Sequence, residues 1–161
     1  MTTQLSIPEN ALSVKETQPF TALTFTTRTT LLTLSQYVPS VAQHLYQEAS
    51  RLNLHAAGPI QWIYTGANSD ETNEFQLEIV LPINQPGEPT EEFSYNIFPA
   101  FRCATYVYTG PWSDFGEVYD ALFAQLYRKG YQSDGHVREI YSVVDHANPA
   151  NCVTEIQIGL V

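Results

Sequence analysis

The chain has 161 residues, with 7 Lys and Arg against 17 Asp and Glu, giving a formal charge of −10, although only 15% of residues are charged and 12% are aromatic. That length suits one domain with a real core. The shortage of bases excludes a free-standing nucleic-acid binder, which needs a basic surface to displace counterions. The many aromatics exclude a disordered chain, and apolar runs as short as Ile79-Val80-Leu81 fall far below the about 18 residues of a membrane span.

Residues 1–19 read as a weakly structured lead-in carrying Pro8 and Pro19, with room for an edge strand between Leu5 and Val14. No basic region followed by an apolar block marks a signal peptide, so the expected location is the cytoplasm. Cys103 and Cys152 are too few for a disulfide framework. They read as buried thiols, and adjacent strands could make them neighbours.

Leu23 to Leu34 is rich in Thr, Leu and Phe and favours a strand. Val38, Val41, Ala42, Leu45, Ala49 and Leu52 then recur at helical spacing. Ser35 is the expected N-cap, Pro39 fits the first turn, and Asn53 and Gly58 end the helix. Ile60–Thr65 and Phe75–Ile83 read as a hairpin around the turn residues 66–70. Residues 84–96 form an acidic, Pro- and Gly-containing connector.

The order then repeats. Phe101–Tyr108 reads as a strand. Phe115, Val118, Tyr119, Leu122 and Leu126 form a helical stripe, capped by Ser113 or Asp114 with Glu117 in a capping box, and stopped by Gly130. Val137–Val143 and Val153–Leu160 are strands. Gly135 lies 77 positions after Gly58, and the same offset superposes Leu45 on Leu122, Arg51 on Arg128, Tyr64 on Tyr141, Glu78 on Glu155 and Ile79 on Ile156. This is the signature of an internal duplication.

The expected fold is therefore α+β: two βαββ units (20–83 and 97–161) related by a pseudo-two-fold axis in one domain spanning 1–161. An antiparallel sheet carries both helices on one face, with a cleft between them. Alternation puts Ile60, Trp62 and Tyr64 on one face, and Val137, Glu139 and Tyr141 on its equivalent. Trp62 and Glu139 occupy equivalent positions. A carboxylate walled by Trp and Tyr suits an organic cation, through charge pairing, cation–π attraction and apolar burial. The alternative is that Glu139 sits near the surface or pairs with Arg138 or Arg128.

Tyr108-Thr109-Gly110-Pro111-Trp112, between a strand and a helix, resembles the Gly-Pro-aromatic turn of the GyrI-like, or bacterial transcription activator effector-binding, family. Arg138-Glu139-Ile140-Tyr141 resembles its Glu-x-Tyr strand, and Thr154-Glu155-Ile156-Gln157-Ile158 resembles its closing strand. Gly58-Pro59 and Leu81-Pro82-Ile83 fit its first half. The resemblance spans roughly residues 20–161. It implies a cleft for small, often cationic and aromatic compounds, with the pocket carboxylate at Glu139 and Tyr141 beside it. Trp112 stands where the family more usually has Tyr, and Tyr108 where His is common. Members occur fused to AraC- or MerR-type DNA-binding domains. Others stand alone, some resembling gyrase-protecting proteins or hydrolases of reactive compounds.

The expected function is thus small-molecule binding, with Glu139 for charge and Trp62, Tyr64, Tyr108, Trp112 and Tyr141 as walls. The chain shows no DNA-binding segment of its own, so a regulatory role would need a partner protein. No metal, cofactor, nucleic-acid or membrane partner is expected, because His44, His55, His136 and His146 lack metal-ligand spacing and no phosphate-binding or nucleophile motif occurs. Oligomeric state is left open. A second reading is a hydrolase using Glu139 as general base. A third is an acidic protein-interaction or gyrase-inhibitor-like module. Tyr119, Phe123 and Tyr127 read as helix core and rim, His44 as solvated helix face, and Glu78 and Glu155 as solvent-facing.

Overall fold

The computed structural model describes residues 7–37, 40–68 and 70–161. Strands β1 (Ser13–Glu16), β2 (Phe20–Thr29), β3 (Gln61–Thr65), β4 (Phe75–Ile83), β5 (Ser94–Phe98), β6 (Arg102–Thr109), β7 (Ser133–Val143) and β8 (Val153–Leu160) make one sheet, ordered β1-β6-β8-β7-β3-β4-β2-β5. Every neighbouring pair is antiparallel. Helices α1 (Val41–Arg51) and α2 (Phe115–Arg128) follow β2 and β6.

The strand order keeps its pattern when the two halves are exchanged. β7 and β3 meet at the centre, flanked by β8 and β4, then β6 and β2, then β1 and β5. The repeating unit is thus one strand longer than the sequence pattern suggests. Each half's first strand crosses over, so that β1 pairs with β6 and β5 with β2. β5 begins inside the segment read as connector. Ile97 is 75% exposed and of the strand's residues only Phe98 is buried. Backbone bonds to β2 hold this edge strand rather than an apolar face, so no hydrophobic alternation announces it.

The two helices lie on one face. Leu23, Ile79 and Leu81 pack with Val41, Leu45 and Ala49 of α1. Ala104, Tyr108, Ile156 and Ile158 pack with Val118, Leu122 and Leu126 of α2. Strand register aligns Ile156, Glu139, Trp62, Ile79 and Phe25 across the sheet on this side. Val137 touches both clusters and joins the two cores. Asn53 and Gly130 end the helices with positive φ, 56° and 85°, a conformation both types tolerate better than most.

Several boundaries differ from the sequence reading. β2 spans Phe20–Thr29 rather than Leu23–Leu34. A turn follows it, tied by the hydroxyls of Thr29, Thr30 and Thr33; such short side chains compete with the strand ladder. Ser35 lies in a short 3-10 turn, and Ser40 precedes α1 without a side-chain cap bond. Asp114 likewise makes no cap bond, so the Glu117 capping box does not form. Tyr108 instead takes Asp114 as a hydroxyl acceptor at 3.4 Å. Cys103 and Cys152 are buried free thiols at opposite ends of the β6–β8 ladder, not neighbours. Glu155 is half-buried and paired with Lys15, and Glu78 is half-buried on the same helix-free side. Leu5, Val38, Pro39 and Ser69 fall outside the described residues.

The equivalent leucines Leu45 and Leu122 are both fully buried. Leu45→Ala and Leu122→Ala are each expected to cost about 2–5 kcal/mol in urea unfolding. A loss below about 1 kcal/mol for either contradicts this packing.

Candidate functional site

The central ladder β3–β7 sets Trp62 directly opposite Glu139, on the helix side. Since these residues are equivalent under the 77-residue repeat, the pseudo-two-fold axis passes between them. One half places an indole there and the other a carboxylate. Glu139 is only 3% exposed. Among the described residues no Lys, Arg or His forms an ion pair with it, so neither a surface position nor pairing with Arg128 or Arg138 holds.

Three tyrosines satisfy the carboxylate. Tyr64 and Tyr141 donate their hydroxyls to Oε1 at 3.0 and 2.5 Å, and Tyr119 donates to Oε2 at 2.6 Å. Tyr64 and Tyr141 are themselves repeat-equivalent, so both copies of one strand position converge on one acid. Tyr119 comes from α2, where its equivalent on α1 is Ala42. Burial pushes the Glu139 carboxyl above its ordinary range, and the three phenol donors pull part of that shift back. Burial, then the charge of Glu139, raises all three phenols well above theirs. The hydroxyls therefore stay protonated donors at neutral pH. Hydrogen bonds to a charged group are worth about 1.5–3 kcal/mol each, which makes a buried carboxylate tolerable here.

Aromatic rings continue from this centre. Trp62 lies 6.1 Å edge-on from Tyr141 and 6.4 Å from Tyr64. Trp112 lies 5.4 Å from Tyr141 and donates its Nε1–H to Thr154 Oγ1 at 3.2 Å. Trp62 and Tyr64 are buried, whereas Trp112, Tyr119 and Tyr141 are partly exposed. Those three lie between the buried acid and solvent.

Tyr108 does not join the group. It is buried in the second-half core, stacks edge-on against Phe115, and donates to the Pro111 carbonyl at 3.1 Å. Its ring fills the place of a side chain at Gly110, where a Cβ would meet the Tyr108 hydroxyl at 2.5 Å and φ is 152°. Tyr108 and Gly110 thus fix the turn that presents Trp112. Sequence reading missed Tyr119. The available signal was its four-residue spacing from Phe115 and Phe123, which flanks the buried stripe on the next face of the helix.

Away from this centre, a surface depression of about 480 Å³ is lined by Glu48, Arg51, Pro89, Glu91 and Glu92. Glu48 there already binds Arg51 and Thr90, leaving ordinary paired surface charge. Among the described residues no group of three or more His, Cys, Asp or Glu could hold a metal ion, and no helix is long and apolar enough to cross a membrane.

A two-helix, pseudo-symmetric antiparallel sheet with a buried acid in an aromatic setting defines a class of small-molecule-binding domain. The chain belongs to the GyrI-like small molecule binding domain family, whose model matches residues 11–161. No curated protein matches it in sequence. Among solved structures it is similar to the C-terminal domain of EcmrR (TM-score 0.77, 19% identity, covering 93% of this chain and 96% of that one). It is also similar to EcmrR in a complex with DNA (TM-score 0.80, 19% identity, 92% of this chain), where it spans only 56% of the EcmrR chain. SAV2435 bound to tetraphenylphosphonium shares the fold (TM-score 0.63, 12% identity, 93% of each chain). So does a hydrolase from Listeria innocua (TM-score 0.65, 12% identity, 96% of this chain and 93% of that one).

Because folding raises the Glu139 pKa, this group's contribution to stability is full below its unfolded pKa and lost as pH rises through the folded one. Glu139→Gln removes the ionisation. Its stability relative to the unmodified protein is therefore expected to increase between about pH 4 and pH 8 in urea titrations. A relative stability that falls over that interval contradicts the raised pKa.

Proposed function

We propose that this protein binds small organic cations with apolar or aromatic bodies, and that Glu139 supplies the charge that selects them. One observation carries the reading: an acid almost wholly out of water, held by three neutral phenols, with no ion-paired base among the described residues. A carboxylate so placed attracts a cation more strongly than one in water, because little solvent screens the pair. Trp62, Tyr64 and Tyr141 supply ring faces and edges for the ligand's body. SAV2435, of the same fold, was solved with a cation of this kind. By analogy with the EcmrR C-terminal domain, the module is proposed to report ligand occupancy to a regulator, on its own chain or a partner's.

Glu139 is only 3% exposed and its side chain and those of Trp62 and Tyr64 crowd the centre. Entry is therefore proposed to require Trp112 and Tyr119 to swing outward. The Tyr119 hydroxyl then leaves Oε2, and the cation takes over its role of stabilising the negative charge.

The neighbouring hydrolase fold and the raised Glu139 pKa suit the second reading, in which the acid acts as a general base. Geometry favours binding instead. Oε1 keeps the Tyr64 and Tyr141 donors, and Oε2, once Tyr119 leaves, is taken by the cation, which leaves no open position for a water to be activated.

Tetraphenylphosphonium is the test ligand. Calorimetric titration is expected to show Glu139→Gln weakening it by at least about tenfold, near 1.4 kcal/mol, while a neutral triphenylphosphine oxide control changes by less than about threefold, near 0.65 kcal/mol. Equal affinities for the cation contradict the assignment. Turnover of an electrophilic ester that is lost in Glu139→Gln supports the hydrolytic reading instead.

A further inference from the structure

The sheet face that carries no helix has its own polar centre. Among the described residues, the buried side-chain atoms without a hydrogen-bond partner are Thr24 Oγ1, Gln61 Oε1, His136 Nε2 and Arg138 Nε. All four residues lie on this face. Thr24 and Gln61 both register with Val80, Gln61 registers with Ile140, and Ile140 shares its face with Arg138 and His136 at two-residue spacing along β7.

Arg138 is 2% exposed in the middle of the sheet. Its guanidinium carbon sits 3.8 Å from the centre of the Phe101 ring, and 5.6 and 5.8 Å from Phe20 and Phe98. Phe20 and Phe98 stack on each other, so the cation is roofed by rings. His136 lies against the same Phe101, with ring centres 5.2 Å apart. Two nitrogens without partners, Arg138 Nε and His136 Nε2, thus flank one phenyl ring.

No carboxylate among the described residues closes an ion pair with Arg138. Glu78 and Asp134 act on it only at longer range, and both are engaged elsewhere. Glu78 accepts from the Gln76 amide. Asp134 accepts from the His136 backbone N–H and fills the space over Gly159, where a Cβ would fall 2.3 Å from its Oδ1. Burial draws the Arg138 pKa down to about 10, so it remains charged at neutral pH. Ring faces offset only part of the cost of burying an unpaired charge. A guanidinium presents a planar fork of donors that matches an oxyanion.

We propose that the helix-free face holds a second site, which takes a small oxyanion, phosphate or carboxylate, against Arg138 with His136 as an additional donor. It lies on the sheet face opposite Glu139, and the guanidinium of Arg138 makes its occupant an anion. The proposal does not rest on the cleft's function.

Side-chain NMR of the 15N-labelled full chain tests it directly, because a sealed Nε–H exchanges slowly enough to be observed. Sodium phosphate and sodium acetate are titrated separately at constant ionic strength, with chloride as the control. The Arg138 Nε–H resonance is expected to shift saturably with phosphate or with acetate, at millimolar concentrations or below, and not with chloride; which of the two saturates names the oxyanion. Arg138→Met is expected to lose phosphate or acetate binding in calorimetry while keeping its tetraphenylphosphonium affinity within about twofold. A non-saturating shift shared with chloride means an adventitious ion only and overturns the proposal. So does silence to both anions with a large Nε–H shift in Glu78→Gln, which makes Glu78 the partner in solution. A shift that follows protein concentration without added anion assigns the site to a carboxylate of a second copy and also overturns it.

Discussion

A single ionisable carboxyl group, removed from water and held by three phenol hydroxyls, constrains the centre of this molecule. The chain cannot bury Glu139 without supplying donors, because an unsatisfied carboxylate in such surroundings costs many times a hydrogen bond. Two of the donors come from the sheet at repeat-equivalent positions, Tyr64 and Tyr141. The third reaches down from α2. The β3–β7 register is therefore more than a backbone ladder, since a one-residue slip of either strand would turn Tyr64, or Glu139 with Tyr141, to the other face and part the acid from its donors.

Duplication explains the frame, and departures from it explain the chemistry. The repeat supplies two equivalent strands meeting at a pseudo-two-fold axis, two helices on one face, and exchanged first strands that join the halves. On that frame the two copies differ where it matters. Trp62 faces Glu139, and Ala42 on α1 stands where α2 has Tyr119. A strictly symmetric domain would place two acids together, whose repulsion would hold one of them protonated, or two indoles with no charge at all. The asymmetry yields one charge with a ring wall beside it. It also gives the acid an extra donor on the α2 side, where Trp112 and Tyr119 border solvent.

Much of this was legible in the sequence, for a physical reason. A gapless 77-residue offset and strand alternation are strict periodicities, and together they put Trp62, Tyr64, Glu139 and Tyr141 on the helix side. What escaped reading depends on interactions that leave no period. β5 is an edge strand held by backbone bonds, and its Ile97 points into solvent. The spacing of Asp114 and Glu117 predicts a capping box, but Asp114 makes no cap bond and instead accepts the Tyr108 hydroxyl. Tyr108 begins the Gly-Pro turn and by sequence reads as a wall, yet its ring folds back over Gly110. Tyr119 lies on the flank of its helix, and only the packing of α2 on the sheet decides whether such a residue faces solvent or the acid.

The strong negative charge of the whole chain is not the chemically informative quantity. Exposed acids such as Glu74 pair with nearby bases or face water. Glu139 alone combines burial, donors and an absence of ion-paired bases among the described residues. A cation placed beside it must favour its ionised form. Calorimetry of tetraphenylphosphonium binding in buffers of different ionisation enthalpy, from neutral to mildly acidic pH, reads this linkage directly. The account requires proton release on binding that grows as pH falls toward the raised Glu139 pKa and vanishes in Glu139→Gln. Binding without proton release across that range, or with the same release in Glu139→Gln, would contradict it.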